Sequence, residues 1–167
     1  MSINVDLHLH TNKSDGKLSP TNLVQLLANE GLEYVSITDH DTIDGIEEAV
    51  SEATRFNGLT IVPGIEVSAN VLGEEVHILG YFIDPSSPKL LKTLKNAQDD
   101  RRDTGRKIVK KLEKLGFSIK WESVEELADG ATITRPHIAQ AMVDKGYITS
   151  IQEAFDKYIG EDGPANV

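Results

Sequence analysis

Ile3-Asn4-Val5-Asp6-Leu7-His8-Leu9-His10 follows Met1-Ser2, and its reading decides the fold. Residues 3–10 read as a strand. Alternate residues of a strand share a face, so His8 and His10 would point together at one ion while Leu7 and Leu9 turn to the core. Ser19-Pro20 then signals a helix start, with Pro20 in the first turn, Leu23, Val24, Leu26 and Leu27 as apolar positions and Gly31 as the stop. Residues 34–38 predict a second strand. Strand, helix and strand in this order imply parallel pairing and an α/β fold.

The pattern continues outward from there. Asp44 and Glu47 have capping-box spacing for a helix running to about Phe56. Strands are predicted over 60–62, 66–71 and 76–83, the last two paired through a turn at Gly73. After Asp84 the texture changes. Pro85-Ser86-Ser87-Pro88 breaks the pattern, and a helix follows to Leu115 on Leu90, Leu91, Leu94, Ile108, Val109 and Leu112. Ser123 with Glu126, and Ser150 with Glu153, predict two short helices. The expected division is 1–84, alternating strands and helices, and 85–167, helical. No internal repeat or low-complexity tract is present.

The chain has 167 residues, enough for one domain with a real core, and a formal net charge of −10. That charge argues against a generic nucleic-acid-binding surface, although ions in a carboxylate-rich cleft invert the local sign. No run is apolar and long enough to span a bilayer and no signal segment is evident, so a cytoplasmic location and no membrane partner are expected. Cysteine is absent, which removes disulfides, thiolate metal sites and thiol nucleophiles.

All five histidines lie in suggestive places. His8 and His10 close the first strand. His40 sits between Asp39 and Asp41 after the second, where α/β folds place their active sites. His77 begins the run Ile78-Leu79-Gly80-Tyr81-Phe82, and His137 follows Arg135-Pro136. Glu66 lies among Ile65 and Val67, where a carboxylate is costly to bury without a cation. Imidazoles with Asp6, Asp15, Asp39, Asp41 and Glu66 nearby form a donor set suited to divalent metals.

These residues resemble the PHP (polymerase and histidinol phosphatase) metallophosphoesterases. The resemblance rests on Asp6-Leu7-His8-Leu9-His10-Thr11, Ile37-Thr38-Asp39-His40-Asp41, Gly64-Ile65-Glu66, His77-Ile78-Leu79-Gly80-Tyr81 and Arg135-Pro136-His137. The stretch Thr134-Arg135-Pro136-His137-Ile138-Ala139, with Gln152-Glu153-Ala154-Phe155 and Gly163-Pro164-Ala165, is similar to the branch that removes the 3′-phosphate of nucleoside 3′,5′-bisphosphates. Some members of that branch also degrade short RNA from the 5′ end.

The resemblance implies the front portion of a distorted (β/α)7 barrel carrying a helical insertion, with return to the barrel at about 131–140. It implies up to three divalent ions, manganese foremost, with zinc, iron(II) or magnesium as alternatives. His8, His10 and Glu66 would hold the first. Glu66 would bridge to a second, held also by His77 and His137, and Asp15 and His40 would hold the third. Asp39, Asp41 and Asp6 would orient neighbouring ligands. Glu66 and Arg135 are the expected catalytic residues, Arg135 gripping the phosphate through its planar fork. Arg101, Arg102 and Arg106 read chiefly as a solvated face.

The family pattern also needs a late Asp and His, and no histidine follows His137. The chain is therefore expected to be part of a longer protein, with the remaining barrel strands absent, an unpaired sheet edge and a tendency to self-associate. The expected activity is hydrolysis of a phosphomonoester, foremost the 3′-phosphate of a nucleoside bisphosphate, and short RNA. The rival readings are a histidinol-phosphatase-like enzyme, a polymerase-associated exonuclease of the same family, and a metal-binding module without catalysis.

Overall fold

The computed structural model describes residues 4–72 and 74–167. Ile3 and the turn expected at Gly73 lie outside them. The chain divides into two compact units, 1–97 and 98–167.

The first unit contains β1 (Val5–Leu9), α1 (Pro20–Asn29), β2 (Tyr34–Ile37), α2 (Ile46–Ala53), β3 (Thr60–Val71) and β4 (Glu74–Tyr81), followed by the start of α3 (Pro88–Lys114). The sheet order is β1-β2-β3-β4. β1, β2 and β3 run parallel, and β4 is antiparallel to β3. The result is a curled four-stranded half-barrel, as expected for part of a (β/α) barrel. Ser19 caps α1 by accepting the Asn22 N–H at 3.2 Å, and Gly31, at φ 77°, follows its end. Leu23, Val24 and Leu27 of α1 bury with Ala49 and Ala53 of α2 against Val35 and Ile37 of β2.

Three expectations need correction here. The strands predicted over 60–62 and 66–71 are one continuous β3. The Pro63-Gly64 signal is real, but it marks a change of partner. Residues up to Pro63 pair with β2, and from Gly64 onward they pair with β4. Proline cannot donate to a ladder, so it suits such a junction. Second, Asp44 does not cap α2. Gly45 occupies the cap position and no side chain bonds there. The Asp44 N–H instead donates to Thr42 Oγ1 at 3.2 Å, closing a local turn. Third, Leu7 does not reach the core. It is 37% exposed on the edge strand β1, while Leu9 packs against the buried cluster. Leu26 is likewise 46% exposed on α1.

The second unit holds the rest of α3, α4 (Trp121–Ala128), α5 (Arg135–Asp144), α6 (Ile151–Ala154) and a π-helical turn, Phe155–Ile159. Ile108, Leu112, Val124, Ile138, Met142 and Ile159 form its core. α4 begins at Trp121, two residues before the expected Ser123, and Ser123 does not cap it. Ser150 does cap α6, accepting the Glu153 N–H at 3.2 Å. Arg102 is bonded to Glu125, and the Arg106 guanidinium lies 5.2 Å from the Trp121 ring centroid. Among the described residues, no helix is long and apolar enough to cross a membrane.

Candidate metal centre

The first unit brings six of the expected ligands together. Glu66 is at the centre and is 4% exposed. Its Oε2 lies 2.9 Å from His8 Nε2, 3.0 Å from His10 Nε2 and 3.6 Å from His40 Nδ1. Its Oε1 lies 3.0 Å from His77 Nδ1. Asp15 reaches His10 Nδ1 at 3.2 Å and His40 Nε2 at 3.5 Å. The imidazoles form a row, with ring centroids 5.1 Å apart for His8 and His10, 4.6 Å for His10 and His40, and 4.8 Å for His40 and His77.

Backbone geometry explains the convergence. β1 carries an extra residue against β2 between Asp6 and Leu9, so its register shifts there. Asp6 supports this bulge by accepting the His8 N–H at 3.2 Å, and so acts on the backbone of His8. His40 leaves the end of β2 and pairs in parallel with Glu66. The Asp41 N–H donates to the Glu66 carbonyl at 2.9 Å, and the Glu66 N–H to the Asp39 carbonyl at 3.3 Å. His77 stands on β4 opposite Ser68 of β3. The β3–β4 ladder therefore places it beside Glu66.

The electrostatics agree with this arrangement. Burial raises the Glu66 pKa, but the His8 hydrogen bond and the neighbouring His40, His10 and His77 outweigh it and hold the carboxyl below its ordinary value. Burial lowers the His10 pKa, and the Asp15 hydrogen bond and charge, with Glu66 and Asp39, outweigh it, so His10 is raised. Glu66 is therefore held anionic beside a His10 that is more basic than usual.

These donors fall into three overlapping groups, His8 with His10 and Glu66, His10 with Asp15 and His40, and His40 with Glu66 and His77. Within each group the donor atoms lie within 4.8 Å of one another. Mixed imidazole and carboxylate donors at this spacing fit divalent ions such as zinc, iron and manganese. His8 and His77 are exposed and Glu66 and His40 are buried, so the cluster has one face open to solvent.

Asp39 and Asp41 lie outside these groups. Both are buried, and both spend oxygens on protein hydrogen bonds. Asp39 is met by Thr11 and Ser14, two buried residues to which the sequence reading gave no role. The available signal was their position in the turn-forming stretch Thr11-Asn12-Lys13-Ser14-Asp15-Gly16.

His137 and Arg135 belong to the second unit. Thr134 caps α5, and His137 Nδ1 accepts the Thr134 N–H at 3.1 Å, with Thr134 Oγ1 also at 3.1 Å. An Arg135 guanidinium nitrogen donates to Asn166 Oδ1 at 3.2 Å.

The PHP domain model matches residues 6–160. Over 167 residues the chain is 36% identical to a 5′-3′ exoribonuclease of Haemophilus influenzae, covering 100% of this chain and 60% of that protein. It is 33% identical over 165 residues to a 3′,5′-nucleoside bisphosphate phosphatase of Chromobacterium violaceum, covering 98% of this chain and 58% of that one. A solved Bifidobacterium adolescentis protein, proposed to be a metal-dependent phosphoesterase, superposes with a TM-score of 0.89 at 32% identity. That match covers 100% of this chain and 59% of the other. The chain thus spans about three-fifths of the length of the relatives it matches.

Proposed function

The chain belongs to the PHP domain family, and from that membership we propose that the protein is a metal-dependent phosphoesterase acting on nucleotides. Its foremost substrate is the 3′-phosphate of nucleoside 3′,5′-bisphosphates, and short RNA is the second. The carrying observation is Glu66, a buried carboxylate approached by four imidazoles. The two relatives named for a nucleoside bisphosphate and for RNA support the substrate class.

In this reading His8, His10 and Glu66 hold one ion, Glu66 and His77 take part in a second, Asp15 and His40 hold a third, and His137 is a further proposed ligand. Manganese is the first expectation for the metal. Bound divalent ions would supply Lewis-acid chemistry, neutralising phosphoryl oxygens and making water acidic enough to attack. Glu66 and Asp15 supply negative charge that offsets the ions, and the imidazoles must be neutral to bind them. If His137 ligates through Nε2, its proton resides on Nδ1, where it would donate to Thr134 Oγ1 instead of accepting the Thr134 N–H. Arg135 is assigned the phosphate, in bidentate contact. A cytoplasmic location goes with a nucleotide substrate.

The test is manganese-supported phosphate release from adenosine 3′,5′-bisphosphate, with histidinol phosphate as comparison and His8→Ala as control. His8-dependent release from the bisphosphate is expected. Preferential release from histidinol phosphate would overturn the nucleotide assignment. Metal binding without release from either would overturn catalysis by this chain and leave a metal-binding module.

A further inference from the structure

Asp39-His40-Asp41 brackets Glu66 through the backbone, as described above, and its two acidic side chains go to different places. Asp39, 1% exposed, accepts the Thr11 N–H at 2.7 Å and the Ser14 hydroxyl at 2.6 Å on Oδ1, and the Thr11 hydroxyl at 2.6 Å on Oδ2. Thr11 and Ser14 are themselves buried and belong to the loop that carries Asp15. The loop is tight. The Gly16 N–H donates to the Thr11 carbonyl at 2.9 Å, and a Cβ on Gly16 would lie 2.3 Å from the His10 carbonyl oxygen. Ser14 Oγ also stands 3.5 Å from His10 Nδ1.

Asp41 is fully buried and holds φ 51°, a conformation uncommon for a residue with a side chain. Its Oδ1 accepts the Ser68 N–H at 2.9 Å, two residues past Glu66 and opposite His77 across the ladder. A residue held at positive φ with no exposure is over-determined by its surroundings, as strained residues at functional sites are.

We infer that Asp39 and Asp41 are positioning residues with separate charges. Asp39 sets the loop of Asp15, which with His40 is assigned the third ion, and Asp41 sets the strand segment beside Glu66 and His77, assigned the second. The inference rests on the metal reading above and goes beyond it, because it assigns each carboxylate to a different ion. Hydrogen-bonded partners behind metal ligands typically change affinity by about 10–100-fold when removed. Each alanine substitution should therefore weaken one ion by about tenfold or more and spare another.

The experiment is zinc titration of the chelator-stripped protein. Bound zinc is counted by mass spectrometry of the metal, and imidazole nitrogen shifts are followed by NMR. Wild type sets the reference. Asp39→Ala should bind one fewer zinc while His77 still responds at the wild-type concentration. Asp41→Ala should bind one fewer zinc with the His77 response moved about tenfold or more higher. Asp39→Asn and Asp41→Asn keep an acceptor oxygen and should restore occupancy, which separates placement from charge and guards against a variant that fails to fold. Asparagine variants that behave like the alanine ones would overturn positioning, as would alanine variants that lose the same ion or none. A wild-type protein that binds no zinc would instead defeat the metal reading itself.

Discussion

Gly64 passes so close to Ser36 that a Cβ on the glycine would lie 2.1 Å from the serine Oγ. Ser36 is fully buried and donates to the Val62 carbonyl at 2.9 Å, so it cannot simply swing away. This contact lets β3 run unbroken past Pro63 and deliver Glu66 two residues later. Gly64→Ala should destabilise the fold by about 1–3 kcal/mol, as overpacking does. Ser36→Ala in the same chain should recover part of the loss, and Thr38 Cγ2, 2.9 Å from that Cβ, should prevent full recovery. Denaturant unfolding of the two single variants and the double variant reads both effects.

Metal should stabilise the protein by mass action. An ion that binds only the folded chain adds about 2.7 kcal/mol at a hundredfold excess over its dissociation constant. Manganese should raise the melting temperature, a chelator should reverse the rise, and Glu66→Ala should abolish most of it. An undiminished rise in Glu66→Ala would mean that manganese binds elsewhere.

Glu153 gives a pH prediction in the second unit. The Lys157 ammonium at 2.8 Å, with the Thr149 N–H and hydroxyl each at 2.8 Å, holds its pKa down to about 2 from 4.5. A folded-state pKa below the unfolded one contributes stability that is present above the unfolded value and lost as pH falls through the folded one. The stability gap between wild type and Glu153→Gln should persist at neutral pH and close as pH falls from 4.5 towards 2. The pair is on the surface, so the gap is small and shrinks in salt. An NMR titration of the Glu153 carboxyl gives the midpoint directly, and a midpoint at the ordinary glutamate value would contradict the contact.

Much of this was legible in the sequence, and the exceptions have physical causes. The Ser19-Pro20 start and Gly31 stop of α1 are local signals and read directly. Convergence of His8, His10, Asp15, His40, Glu66 and His77 was readable from motif resemblance, and for His8, His10 and His40 also from their places at strand ends. The partners of Asp39 were not readable, because its bonds to Thr11 and Ser14 reach across 28 and 25 residues. Pro63-Gly64 looked like a strand break because local propensity cannot show that a strand changes partners there. Leu7 looked like core because alternation does not tell an edge strand from a central one.

The most direct test of the account is the number of manganese ions bound per chain by chelator-stripped protein, measured for wild type, His10→Ala and Glu66→Ala. A centre built around Glu66 predicts more than one ion in wild type and fewer in each variant, with all three proteins folded. Absence of binding in wild type, or equal binding in all three, would contradict it.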